Sequence, residues 1–282
     1  MTKTFEDAGG AATSLILLRS LTGLAVFSAA VVAMRAELPS RPLIAIGLGL
    51  GVFQLISSAG LVLGFANAPA SLVILAFYVY PIPVVIAASV FLGESVGWRR
   101  AVLVAMGIVG LLLAVGTPES ASLSGIGFGL AAGLGMSCLV LGSRYLYQSG
   151  VQVPQVLTLT YIGPAATLLV LLAAGAISLP AARSDVLIPA FAFVTISSVI
   201  PISLFGLAVR NIGAGTAALL TTLEPPAAVL IAFLLLDESL TAVQLLGGAL
   251  IASAAGLLSI LPAGGDTSAG PPTQSPPVAT RA

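Results

Sequence analysis

YPIPVVIAASVFLGES at residues 80–95 and LEPPAAVLIAFLLLDES at residues 223–239 are the stretches whose reading decides the fold. Each has a proline pair, Pro81 with Pro83 and Pro225 with Pro226, followed by an apolar run that closes on Glu-Ser. An offset of 144 residues superimposes them, and it also aligns Asn67 with Asn211, Leu75 with Leu219, Glu94 with Glu238 and Ser95 with Ser239. A shared order of loop, helix, proline and terminal Glu-Ser marks two structural copies rather than chance likeness between greasy helices.

Around these stretches the chain is too apolar for water. Of its 282 residues 58% are hydrophobic and 7% charged, with a mean hydropathy of +1.15, whereas a soluble domain carries about 25% charged residues. Apolar runs of roughly 20 residues, each enough to cross about 30 Å of hydrocarbon, recur near 11–34, 43–65, 69–92, 98–116, 123–143, 153–179, 186–209, 213–236 and 241–261. The expected fold class is therefore all-α, a polytopic membrane protein. Residues 263–282, rich in Pro, Gly, Ser and Thr, bury too little apolar surface to offset the entropy of ordering and read as a disordered tail.

Several chemistries lack their parts. The net charge is zero, there is no histidine, and Cys138 is the one cysteine. No intrachain disulfide, His-based zinc site or imidazole relay can form, and no Lys follows the glycines in a phosphate-loop pattern. Asp7, Asp185, Asp237 and Asp266 lie near or outside the ends of apolar runs, which argues against a paired-aspartate protease. The chain reads as a non-enzyme with no cofactor, no metal and no nucleic-acid partner. Small-molecule substrate, membrane lipid and a proton are the partners expected, and a homodimer is left open.

Orientation follows from the basic residues. Arg35, Arg41, Arg99, Arg100, Arg144, Arg210 and Arg281 fall in alternate loops on one side, against Lys3 and Arg183 on the other. Lys/Arg excess marks the cytoplasmic side, so the C-terminus is expected there, in a cell inner membrane. Glu6, Asp7 and Arg19 make the first apolar run unlike a cleaved leader. With these crossings Glu94 is cytoplasmic and Glu238 external, so the copies are inverted, an arrangement used by secondary transporters. The first repeat spans 1–117 and the second 118–262. The helix at 123–143 has no counterpart in the first repeat, so ten helices would complete the pair. A start codon downstream of the true one and a nine-helix variant are the two readings.

The segments Asn67–Gly116 and Asn211–Leu261, together with LLRSLTGL at 17–24, resemble the two EamA-type halves of the drug/metabolite transporter superfamily, over nearly the whole chain apart from the tail. The resemblance implies a secondary-active exporter of small metabolites, amino-acid-like or related, working by alternating access across a bacterial inner membrane. The alternative is a non-transporting membrane accessory protein or a truncated transporter fragment.

The residues expected to line substrate binding and translocation are Arg19, Gln54, Tyr78, Tyr80, Pro81, Tyr161, Glu224 and Pro225. A charged group at the centre of a membrane helix costs about 2.5–3.5 kcal/mol. Glu224 therefore faces a wet cavity or carries a proton, and is the proton-coupling candidate; the plainer alternative is bonding that holds the break beside Pro225. Arg19 can snorkel to the interface, pair with Glu224, or hold a ligand carboxylate through its guanidinium fork. The prolines remove amide donors, so the carbonyls of Phe77, Val79, Thr221 and Thr222 lose their helical partners, and such backbone is tolerated where it lines a cavity or is rescued by neighbours. The tyrosines and Gln54 offer polar tips at helix depth, although such residues in membrane helices more often serve core or interface packing. Asn67 and Asn211 read as helix caps, as does Thr241 with Gln244. The pairs Gly47/Gly51, Gly60/Gly64, Gly125/Gly129 and Gly129/Gly133 have the spacing that lets membrane helices approach closely.

Overall fold

Apolar stretches of this length leave no water to satisfy backbone groups, so each closes its hydrogen bonds internally as helix. The computed structural model describes residues 12–94, 98–115, 123–176, 191–224 and 242–260, and among them every regular element is helical. They are α1 (Ala12–Ala33), α2 (Arg41–Asn67), α3 (Ala70–Phe77), α4 (Pro81–Phe91), α5 (Trp98–Val115), α6 (Leu123–Gln148), α7 (Val153–Ala173), α8 (Ile200–Ile212), α9 (Ala214–Leu220) and α10 (Ala242–Ile260). A π turn, Thr195–Val199, leads into α8, and a 3₁₀ turn, Thr221–Leu223, follows α9. Among the described residues five spans, 41–67, 72–91, 123–148, 153–173 and 191–212, are long and apolar enough to cross a membrane.

Element boundaries differ from the sequence expectation where charge or glycine intervenes. α6 continues to Gln148, past Arg144, because that arginine is paired inside the bundle and does not need a loop. α7 stops at Ala173, with Gly175 at φ 72° just beyond it. Thr241 of the expected capping box, the whole stretch 225–241 and the tail lie outside the described residues, as does the side chain of Gln244.

Helices in lipid gain little from the hydrophobic effect, so close backbone approach has to hold them together. α6 runs along α2 and α3, α2 also packs on α7, α1 on α7, α5 on α10, and α4 on α9. The glycine pairs sit in these seams. A side-chain carbon on Gly129 or Gly133 would stand 2.7 Å from the carbonyl oxygen of Val73 or Phe77, and one on Gly60 would stand 2.8 Å from that of Phe128. The outer surface carries exposed Val90, Phe91, Val170, Ile196 and Leu204, the side chains suited to lipid contact.

Candidate functional site

Pro81 and Pro83 have no N–H to give, and the helix answers by tightening. Tyr80 N–H donates to Phe77 O at 3.0 Å and Ile82 N–H to Val79 O at 3.1 Å, so the two carbonyls expected to lose their partners are recovered by i→i+3 bonds. α3 and α4 are thereby separated by one turn, with Pro81 buried at the first position of α4. After α9, Glu224 N–H donates to Thr221 O in the same way. Tyr80 and Glu224, like Phe77 and Thr221, are 144 residues apart, so the two breaks are built alike. Pro225 and Pro226 lie outside the described residues.

The breaks face each other and are bonded across. Tyr78 Oη donates to Glu224 Oε2 at 2.6 Å, and the hydroxyls of Tyr80 and Thr221 are hydrogen-bonded. Thr221 Oγ1 donates its one proton to Ala218 O at 2.7 Å, so the Tyr80 hydroxyl is the donor of that pair. From α6, Ser137 Oγ reaches Tyr80 O at 3.1 Å and its own Gly133 O at 2.9 Å.

Beside this junction lies a cavity of about 240 Å³, with Arg19, Tyr78, Tyr80, Thr221 and Glu224 on its wall. Phe77, Met136, Ile202 and Phe205 supply apolar surface, and Ser197, Ser198 and Pro201 complete the lining. The rings of Tyr78 and Phe77 stand edge to face at 5.3 Å. Glu224 is exposed to the cavity and Arg19 half-buried beside it. Among the described residues the one ion pair is that of Glu94 and Arg144, so Arg19 and Glu224 share a cavity without neutralising each other. That arrangement can hold an anionic group at one end and a cationic group at the other.

Four residues singled out in the sequence, Arg19, Tyr78, Tyr80 and Glu224, thus meet around one cavity. Gln54 and Tyr161 do not reach it. They line a second, narrow chamber of about 20 Å³ nearer the end that carries Arg144 and Arg210, with Tyr161 edge-on to Phe27 at 5.6 Å. Asn67 caps the helix it ends, its amide donating to Leu63 O at 2.7 Å, whereas Asn211 lies within α8, which is closed by Gly213. The sequence reading passed over Ser197, Ser198 and Pro201. The signal was a proline shortly after two serines inside an apolar run, where the missing amide is absorbed by the π turn, a deformation frequent at functional sites. No group of potential metal ligands occurs among the described residues.

Comparison with known proteins gives three likenesses. Residues 123–260 match the EamA-like transporter family. An uncharacterized transporter of Archaeoglobus fulgidus is 28% identical over 206 residues, 72% of each chain. A crystal structure of a protein superposes with a TM-score of 0.72 at 19% identity, covering 92% of both chains, a likeness of fold alone.

Proposed function

We propose that this chain, which belongs to the EamA-like transporter family over residues 123–260 and is a multi-pass membrane transporter, moves a small zwitterionic metabolite of the amino-acid type by alternating access. The single observation that carries this reading is the pair Arg19 and Glu224 on one cavity wall with no ion pair between them. A substrate carboxylate takes the guanidinium fork and its ammonium takes one oxygen of Glu224, while Tyr78 donates to the other oxygen of Glu224. The apolar wall from Phe77, Met136 and Phe205 receives the side chain. Before substrate arrives Glu224 is free to carry a proton, and exchange of proton for ammonium couples export to the proton gradient.

The two repeats, 1–117 and 118–262, are proposed to be inverted about an axis through the facing breaks. Repeat-equivalent helices pack on one another, α1 on α7 and α5 on α10. Gln54 and Ser198, equivalent by the same offset, line different chambers. The end bearing Arg35, Arg41, Arg99, Arg144 and Arg210 is assigned to the cytoplasm by its basic residues, which leaves the larger cavity on the external side and gives export into the surroundings of an inner membrane.

The test is counterflow in proteoliposomes loaded with a panel of neutral amino acids. The expectation is exchange of at least one of them, and protection of a Ser198→Cys variant from a membrane-impermeant maleimide by the same compound. Absence of exchange for every zwitterion, with exchange of purely anionic or purely cationic solutes, would overturn the assignment.

A further inference from the structure

The ion pair found among the described residues includes no residue that lines the proposed substrate cavity. Glu94, just past α4, accepts from Arg144 Nε of α6 at 2.8 Å and from the backbone N–H groups of Ala214 and Gly215 at 2.9 and 3.1 Å. Arg144 Nη1 in turn donates to the carbonyls of Val209 and Arg210 at 3.2 and 2.6 Å. One carboxylate and one guanidinium therefore fasten the ends of α4, α6, α8 and α9 together. The seat is shaped for them. Gly213 has φ 90° and a side-chain carbon there would stand 2.7 Å from a Glu94 carboxylate oxygen, so the turn from α8 into α9 lets the carboxylate in.

Between this cluster and the substrate cavity lies the narrow chamber of about 20 Å³. Gln54, Ser143, Tyr147 and Thr160 add polar groups to its mainly apolar lining, and Ile202 with Phe205 forms the partition it shares with the larger cavity. Thr160 is 2% exposed, and its hydroxyl has no partner among the described residues. A buried hydroxyl without a partner is unfavourable in permanent packing and is satisfied when water enters.

We propose that the narrow chamber is the closed cytoplasmic vestibule of the transport path, and that the Glu94–Arg144 cluster is the latch that holds it shut while the larger cavity stands open to the other side. This inference rests on the transporter reading above. Opening requires α8 and α9 to move away from α4 and α6. That movement breaks the bonds of Glu94 to Ala214 and Gly215 and those of Arg144 to Val209 and Arg210, returns both charges to water, and hydrates Thr160.

The experiment reads accessibility rather than transport, so it stands or falls apart from the substrate assignment. In a Cys138→Ser background, single cysteines replace Ser143 in the chamber or Ser198 in the larger cavity, and a membrane-impermeant maleimide is applied to each face of proteoliposomes. With the latch intact, the cysteine at 143 reacts slowly from the arginine-bearing face. Glu94→Gln and, independently, Arg144→Gln raise that rate by about tenfold or more, the scale of one lost charge-assisted hydrogen bond, and slow the reaction at 198 from the opposite face. An unchanged rate at 143 in both variants, with normal labelling at 198, overturns the latch. Labelling of both positions from both faces would mean loss of fold; Arg144→Lys, which keeps the charge but not the fork reaching Val209 and Arg210, then decides by the same two rates.

Discussion

Replacing Glu224 by glutamine keeps the shape of the side chain and removes its charge, which separates what the carboxylate does for a ligand from what it does for the break. Tyr78 Oη can still donate to the glutamine oxygen in place of Oε2, so the junction keeps its cross-link and the protein its fold. A ligand ammonium loses its countercharge. A hydrogen bond to a charged partner is worth about 1.5–3 kcal/mol net, and because Glu224 is open to the cavity the lower half of that range applies. Apparent affinity for a zwitterion should fall on the order of 10- to 30-fold. A carboxylate-only analogue of the same skeleton, which never used Glu224, should bind as well or better. Arg19→Gln should give the mirror result, weakening the zwitterion and the carboxylate-only analogue while sparing an amine-only one. Binding measured by tryptophan-independent calorimetry in detergent, or competition in counterflow, reads all six combinations. Equal losses for zwitterion and deaminated analogue in Glu224→Gln would refute the assignment of the ammonium to Glu224.

Other consequences can be checked more simply. Gly133→Val puts a side chain against the Phe77 carbonyl 2.7 Å away, and overpacking of this kind costs about 1–3 kcal/mol, seen as a lowered melting temperature in detergent; Gly127→Ala, with nothing within 4 Å, should hold or raise it. Equal effects from the two would argue against the α3–α6 seam. Tyr80→Phe removes one neutral hydrogen bond across the breaks while leaving Thr221 bonded to Ala218, a loss of about 0.5–1.5 kcal/mol with unchanged helix content by circular dichroism. If Glu224 carries the coupling proton, Glu224→Gln should exchange substrate without the internal pH change that accompanies wild-type flux, measured with an entrapped pH dye.

Much of the site was legible because membrane depth makes certain residues expensive. Arg19, Glu224 and the proline pairs stand out against an apolar background, and a charge or a missing amide there needs a local solution. The repeat offset also aligned Tyr80 with Glu224, the two positions that close the matching turns. Hydroxyls were harder to place. Ser197, Ser198 and Thr221 resemble many membrane serines and threonines that bond their own helix, as Thr221 does to Ala218, and nothing in sequence tells which of them also borders a cavity. Glu94 and Arg144 read as loop charges, since they lie 50 residues apart and Ala214, the other partner of Glu94, lies 120 residues from it.

By itself the sequence determined the solvent and the number and depth of the polar features along each apolar run, because hydropathy, proline and charge act locally and survive any packing. It did not determine direction around each helix. A helix apolar on all sides has no polar stripe to say which face turns inward, so Gln54 and Tyr161 were correctly read at helix depth yet belong to the narrow chamber rather than the large one. Only the tertiary structure decided which faces meet. It did so through glycine seams that bring backbones within carbonyl contact and set one proline break opposite the other.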